Sequence, residues 1–82
     1  MTIKHPLATE KSIRMMEASN TLVFVVEKQA TKVDIKEAIE KAFTAKVSRV
    51  RTQVDRQGQK RAYVTFAKET PAIDIATNLG LM

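Results

Sequence analysis

The sequence predicts a single small α/β (α+β) domain, in which three helices pack on an antiparallel or mixed sheet of three to four strands. Two observations predict this class. Segments with apolar residues at helical spacing alternate with short runs of β-branched and aromatic residues, in the order helix, strand, helix, strand, strand, helix. In addition, 82 residues are enough for one core and too few for two. We therefore expect one domain over residues 1–82.

The N-terminal segment favours a short edge strand followed by a helix. Pro6 ends any helix before it, so residues 2–4 can form at most an edge strand. Thr9 is placed to cap a helix over residues 10–18. Glu10 then stands in the first turn, where the helix dipole favours an acid.

Spacing also indicates which helical residues face inward. In the first helix we interpret Met15 and Met16 as core-filling residues. The second helix is predicted over residues 31–43, with Thr31 as N-cap and Asp34 completing a capping box. Its apolar stripe follows the i, i+3, i+4, i+7, i+8 pattern and comprises Ile35, Ala38, Ile39, Ala42 and Phe43.

Three segments are predicted as the central strands. Residues 22–26 are apolar at every position, which is typical of a strand covered on both faces. The crossover through the second helix to the strand at residues 47–54 should be right-handed, which makes these two strands parallel. The last strand, at residues 61–66, then fits between them and antiparallel to both, as a split β-α-β core.

The third helix is marked by its boundary residues. Thr70 is predicted as N-cap and Pro71 as the first helical residue, and Gly80 follows the end. Its buried side is predicted to carry Ala72, Ile75, Ala76 and Leu79.

Nearly all the unbalanced charge lies in the last two strands. The net charge is +5, from 14 basic minus 9 acidic residues; residues 46–61 hold six basic residues and one acid, and the remainder holds eight of each. Alternation puts Val50, Thr52 and Val54 inward. The opposite surface, here called the basic face, carries Arg49, Arg51, Gln53, Arg61, Tyr63 and Thr65.

Composition excludes several classes of protein. The chain has no cysteine, one histidine and two glycines, so it offers no disulfide framework, cysteine-ligated metal site or glycine-rich phosphate loop. Glu37 and Glu40 lie among lysines and are interpreted as a solvated helix face, not a catalytic or metal-binding pair. We expect no enzyme, no cofactor and no metal. The apolar runs are too short to span a membrane, and a soluble, cytoplasmic protein is expected.

A pI near 9.8 with the excess in one patch favours a polyanionic partner, which in a cell usually means nucleic acid. Arginine and lysine would contact phosphates, Tyr63 would stack on an exposed base or ribose, and Gln53 or Thr52 would bind hydroxyls. Charge and alternation do not distinguish RNA from DNA.

An ordered set of short motifs covers essentially the whole chain: His5-Pro6-x-x-Thr9-Glu10-Lys11, Asn20 before an apolar strand, Ala30-Thr31-Lys32-x-x-Ile35-Lys36-x-Ala38-Ile39-Glu40, Val47-x-x-Val50-x-Thr52, Lys60-Arg61-Ala62-Tyr63-Val64 and Ile75-Ala76-x-x-Leu79-Gly80. In this order the motifs resemble the universal large-subunit ribosomal protein number twenty-three family.

The resemblance implies a ribosomal protein that binds large-subunit rRNA beside the mouth of the nascent-chain exit tunnel. Its implied partners are neighbouring ribosomal proteins and the signal recognition particle or other exit-site factors, and it would be a monomer outside the ribosome. Bacterial members carry a long extension between the last two strands. Here only residues 55–59 join them, as in the archaeal type. By the resemblance, Glu10 would contribute to partner docking; its alternative role is compensation of the helix dipole.

Three functions remain open from the residues alone: a ribosomal RNA-binding protein, a stand-alone basic RNA- or DNA-binding regulator, and a basic protein-interaction module. The residues predicted to bind RNA are Lys4, His5, Lys11, Arg14, Arg49, Arg51, Thr52, Gln53, Arg56, Lys60, Arg61 and Tyr63.

Overall fold

The computed structural model describes residues 3–7 and 9–79. The elements in chain order are β1 (Ile3–Pro6), α1 (Glu10–Ser19), β2 (Thr21–Val26), α2 (Lys32–Phe43), β3 (Val47–Val54), β4 (Lys60–Phe66) and α3 (Ala72–Asn78). The strands form one sheet in the order β1-β2-β4-β3, in which all neighbours are antiparallel. The predicted fold class is confirmed, including β4 between the mutually parallel β2 and β3.

Helices α1 and α2 both begin with a reciprocal cap, because each has a threonine at N-cap and a polar side chain three residues later. In α1, Thr9 Oγ1 accepts from Ser12 N at 3.2 Å and Ser12 Oγ accepts from Thr9 N at 2.8 Å. In α2, Thr31 and Asp34 form the predicted capping box, with both bonds at 3.2 Å. These bonds satisfy N–H groups that the helix itself leaves without partners.

The core lies between the sheet and the helices. Every residue of β2 is buried, as predicted for a strand covered on both faces. Phe24 faces the main core, where its ring stacks on Phe43 with centroids 6.4 Å apart. Ile35 and Ile39 of α2 are fully buried, but Ala42 is exposed, so the apolar stripe is narrower than predicted. Val54 also differs from its predicted inward position, because it lies at the end of edge strand β3 and is 60% exposed.

The start of α3 differs from the prediction. Pro71 is the N-cap residue and supplies no side-chain cap, and the hydroxyl of Thr70 instead accepts a hydrogen bond from Lys46 N at 3.2 Å. The first helical N–H, that of Ala72, donates to Asn20 Oδ1 at 2.6 Å. A side chain distant in sequence therefore caps α3. The predicted terminal Gly80 lies outside the described residues.

Strand β3 contains a bulge that was not predicted from the sequence. Val47 pairs with Phe66 and Arg49 pairs with Thr65, so Ser48 has no partner of its own. Strict alternation would put Val47 and Arg49 on the same face. The extra residue resolves this conflict, because it lets Val47 enter the core while Arg49 stays on the basic face.

Candidate nucleic-acid interface

The basic face is a grid of side chains on the sheet surface away from the main core. Directly opposed residues on neighbouring antiparallel strands share a face, so the register defines rows across β2, β4 and β3. The rows are Thr21–Thr65–Arg49, Val23–Tyr63–Arg51 and Val25–Arg61–Gln53. The alternation of both strands is therefore as predicted from Arg49 onward.

Of the three arginines in these rows, Arg49 and Arg51 are the most accessible to a ligand. Both lie on β3, the edge strand, and both are exposed. Among the described residues, no carboxylate lies within 4.0 Å of either guanidinium, since the ion pairs there join other residues. Both arginine side chains are thus exposed and available to bind phosphate.

Helix α1 borders the basic face and turns it into a concave surface. One depression, of about 370 Å³ and here called the Gln53 depression, is lined by Lys11, Met15, Arg51, Thr52, Gln53 and Tyr63. The second, of about 340 Å³ and here called the Ser48 depression, shares Met15, Arg51 and Tyr63 and adds Ser19, Thr21, Ser48, Arg49 and Thr65.

Met15 was predicted to fill the core together with Met16, and only half of that prediction is correct. Met16 is buried in the core, whereas Met15 is half-buried and lines both depressions. The two residues are adjacent in a helix and so point about 100° apart. Of the two methionines in α1, only Met16 points into the core, and Met15 supplies an apolar wall beside Tyr63 instead.

Arg61 lies on the basic face as predicted, but it has an intramolecular partner. Its Nη2 is 3.4 Å from Asp55 Oδ2. Asp55 Oδ1 accepts from the backbone N–H groups of Gln57 and Gln59, both at 2.9 Å, and so holds the turn between β3 and β4. Arg61 is therefore partly neutralised and contributes less free charge to the face than Arg49 or Arg51.

Two other predicted RNA-binding residues have register partners on the core side of the sheet, although Thr52 also lines the Gln53 depression. Thr52 and Lys60 pair with Ala62 and Val26, whose side chains lie in the main core. Lys60 Nζ donates to Ala30 O at 2.6 Å and to Lys28 O at 3.3 Å, so it fastens the loop after β2. The structure thus gives Lys60 a structural partner and separates it from the basic face.

The remaining predicted residues lie on other exposed surfaces or at the rim. Lys4 and His5 are exposed on β1, and Arg56 is exposed in the β3–β4 turn. On α1, Arg14 Nη2 donates to Glu10 Oε1 at 3.0 Å, in an ion pair that is largely solvent-exposed. Glu10 is thus accessible on the helix start, as a docking residue requires. Only Lys11 of the N-terminal set joins the basic face, through the Gln53 depression.

Sequence reasoning missed four residues of this site: Met15, Ser19, Thr21 and Ser48. For Ser19 and Met15 the sequence carries no signal, because their place depends on how α1 packs beside the sheet. For Ser48 a signal existed. Val47 and Arg49 are two residues apart, so strict alternation would put an apolar and a charged side chain on the same face. This break in alternation indicates a bulge next to a functional face.

Residues 3–7 and 9–79 contain neither a metal site nor a membrane-spanning helix. Within these ranges, no group of three His, Cys, Asp or Glu side chains is arranged to hold a metal ion. No helix in the same ranges is both long and apolar enough to cross a membrane.

Comparison with known proteins identifies the family. The family profile described as ribosomal protein L23 matches residues 1–75. The chain belongs to the ribosomal protein L23 family. It is therefore a structural, non-enzymatic component of the large ribosomal subunit, located in the cytoplasm, as the resemblance implied.

Relatives from archaea agree with this assignment over nearly the whole chain. The chain is 46% identical to large ribosomal subunit protein uL23 of Methanococcus vannielii and 48% identical to that of Methanothermobacter thermautotrophicus. Each match covers 96% of this chain and 92% of the relative. The identity to uL23 of Methanococcus maripaludis is 42% with the same coverage. The short β3–β4 turn of this L23 family member is consistent with the archaeal type expected from the sequence.

Proposed function

We propose that the chain binds large-subunit rRNA beside the nascent-chain exit tunnel through its basic face. The observation that carries this proposal is the pair of exposed arginines, Arg49 and Arg51, on an edge strand whose basic face continues into Tyr63. Free guanidinium groups supply phosphate contacts, and a half-buried aromatic ring beside them supplies a stacking surface. A protein-interaction module without nucleic acid has no need of this combination.

We further propose that the start of α1 faces outward from the subunit and helps to dock factors that meet emerging chains, the signal recognition particle among them. Glu10 supports this, because its side chain is 84% exposed and points away from the core. Its pair with Arg14 is largely solvent-exposed and so is easily exchanged for an intermolecular partner.

The absence of cysteine allows a direct test of the rRNA contact. A single Ser48→Cys variant would carry a tethered iron chelate at the rim of the basic face, and a Lys36→Cys variant would carry it on the exposed face of α2. After incorporation into large subunits, hydroxyl radicals from position 48 should cut the rRNA strands that surround the tunnel exit more strongly than radicals from position 36.

The same experiment separates the alternatives. A stand-alone regulator would be favoured if neither variant co-sediments with large subunits through a high-salt cushion while the folded chain still binds other nucleic acid. Equal cutting from both positions would contradict the assignment of the basic face as the contact surface.

A further inference from the structure

The basic face is concave and not uniformly charged, and its shape limits which kind of RNA can bind to it. The Gln53 and Ser48 depressions lie side by side and share Met15, Arg51 and Tyr63 as a common wall. Their volumes, about 370 and 340 Å³, are within the range of small-ligand pockets, about 300–1,000 Å³. Each depression therefore offers room for a planar group.

The shared wall has the chemistry of a stacking platform. Tyr63 is half-buried, so its ring is held by the sheet and loses little entropy on binding. Arg51 is the register partner of Tyr63 on β3, and its planar guanidinium is a group that can stack on a base. The polarizable thioether of Met15 borders the same ring from α1.

Each depression also contains uncommitted polar groups. In the Gln53 depression, the amide of Gln53 makes no hydrogen bond with any described residue. In the Ser48 depression, the hydroxyl of Ser48 likewise has no partner among the described residues, whereas the hydroxyls of Thr65 and Thr21 are hydrogen-bonded to each other at 2.9 Å. An amide suits the donor and acceptor edge of a base, and hydroxyls suit the 2′-OH of ribose.

Free cations stand around the depressions. Lys11 lies at the Gln53 depression and Arg49 at the Ser48 depression, with Arg51 between them. Among the described residues, none of these three has a carboxylate partner. Three such cations can neutralise the phosphates of a short RNA segment.

We infer that the basic face binds an unpaired RNA segment, with one base in each depression and the Tyr63–Arg51 wall between the two bases. This inference rests on the proposed rRNA-binding function and specifies the ligand of that site. The bases of an A-form duplex are stacked inside the helix, and they cannot enter the depressions. A duplex would contact only the cations and would leave the aromatic wall unused.

Tyr63 is the only tyrosine and the chain has no tryptophan, so the intrinsic fluorescence of the protein reports on the wall itself. The full chain would be titrated with a short unstructured oligouridylate and, separately, with an A-form RNA duplex of the same phosphate count at equal ionic strength. The oligouridylate should quench the emission with saturation, because a base stacks on Tyr63. Binding of the duplex should leave the emission nearly unchanged.

Variants test the same contact by affinity for a labelled oligouridylate. Tyr63→Phe keeps the ring and should bind like the unmodified chain, whereas Tyr63→Leu should bind about 5- to 150-fold more weakly, the equivalent of one lost stacking contact of roughly 1–3 kcal/mol. Met15→Ala should weaken binding while it retains the fluorescent reporter. This variant keeps the test decisive if Tyr63→Leu does not fold.

The outcomes separate this inference from the proposed function. The inference would be overturned if duplex and single strand quench the emission equally and if Tyr63→Leu and Met15→Ala bind as tightly as the unmodified chain. That result would leave rRNA binding intact. A folded chain that binds neither RNA would contradict the proposed function, and the inference with it.

Discussion

At the scale of single residues, Asn20 joins three parts of the chain through one side chain. Its backbone ends α1 in the left-handed region, at φ 52°. Its Nδ2 donates toward the carbonyls of Phe66, Ala67 and Thr70 at 3.1–3.2 Å, while Oδ1 caps α3. Asparagine suits this place because it tolerates positive φ and carries both donors and an acceptor.

We predict that Asn20→Ala lowers the free energy of unfolding by about 2–4 kcal/mol, because it removes these hydrogen bonds. It also leaves alanine at positive φ, where the Cβ atom is strained and no side-chain hydrogen bond compensates. Asn20→Gly should lose less, since glycine adopts positive φ freely. Asn78→Ala, at an exposed asparagine at the end of α3, is the control and should stay within about 0.5 kcal/mol. Urea denaturation measures all three, and equal values for Asn20→Ala and Asn78→Ala would contradict the role of this side chain.

A charge reversal at Glu10 is expected to affect partner binding and not folding. Glu10→Lys should weaken association of an exit-site factor with assembled ribosomes while the variant still incorporates into the large subunit. Stability should change little, since the Glu10–Arg14 pair is exposed. The matched control is Glu17→Lys, an exposed charge reversal on the same helix. If factor binding is unchanged, or if both variants reduce it equally, then Glu10 does not dock the factor. Its role would then be compensation of the helix dipole.

At the scale of elements, the bulge at Ser48 sets which face β3 presents. We predict that deletion of Ser48 destabilises the domain by more than about 2 kcal/mol, because removing it would pull Val47 out of the core or turn Arg49 into it. Ser48→Ala keeps the residue count and should stay within about 0.5 kcal/mol. Thermal unfolding compares the two. If the deletion variant is as stable as Ser48→Ala, the bulge does not determine the register.

The hairpin of β3 and β4 also shows how charge in a sequence differs from charge available to a ligand. Of the six basic residues in residues 46–61, three have partners in the structure. Lys46 pairs with Glu69 at 3.0 Å, Arg61 with Asp55, and Lys60 with backbone carbonyls. The partners of Lys46 and Lys60 come from distant parts of the chain, so no local pattern could indicate them.

At the scale of the whole molecule, the sequence was sufficient for most of the architecture and for part of the site. The crossover rule predicted β4 between β2 and β3. Periodicity predicted the helices, the strands and the alternation of the basic face, because each is a local pattern tied to burial. It did not predict the cap of α3 by Asn20, or the position of Met15, since both depend on packing between distant segments. The concavity of the basic face has the same origin: α1 supplies one wall and the sheet the other.

The central claim, that the basic face is the RNA-binding surface, is tested most directly by the salt dependence of binding. Each phosphate neutralised by an arginine contributes roughly 0.7–0.9 to the slope of log affinity against log salt. Arg51 is exposed and, among the described residues, has no ion-pair partner, so Arg51→Ala should flatten the slope by about this amount. Arg61→Ala should flatten it less, because Asp55 already neutralises part of its charge.

Lys41 is the matched control, since it carries the same charge on the exposed face of α2. Filter binding of purified large-subunit RNA to the unmodified chain, Arg51→Ala and Lys41→Ala at several salt concentrations decides the question. We expect a flatter slope for Arg51→Ala and an unchanged slope for Lys41→Ala. Equal slopes for the two variants would contradict the claim.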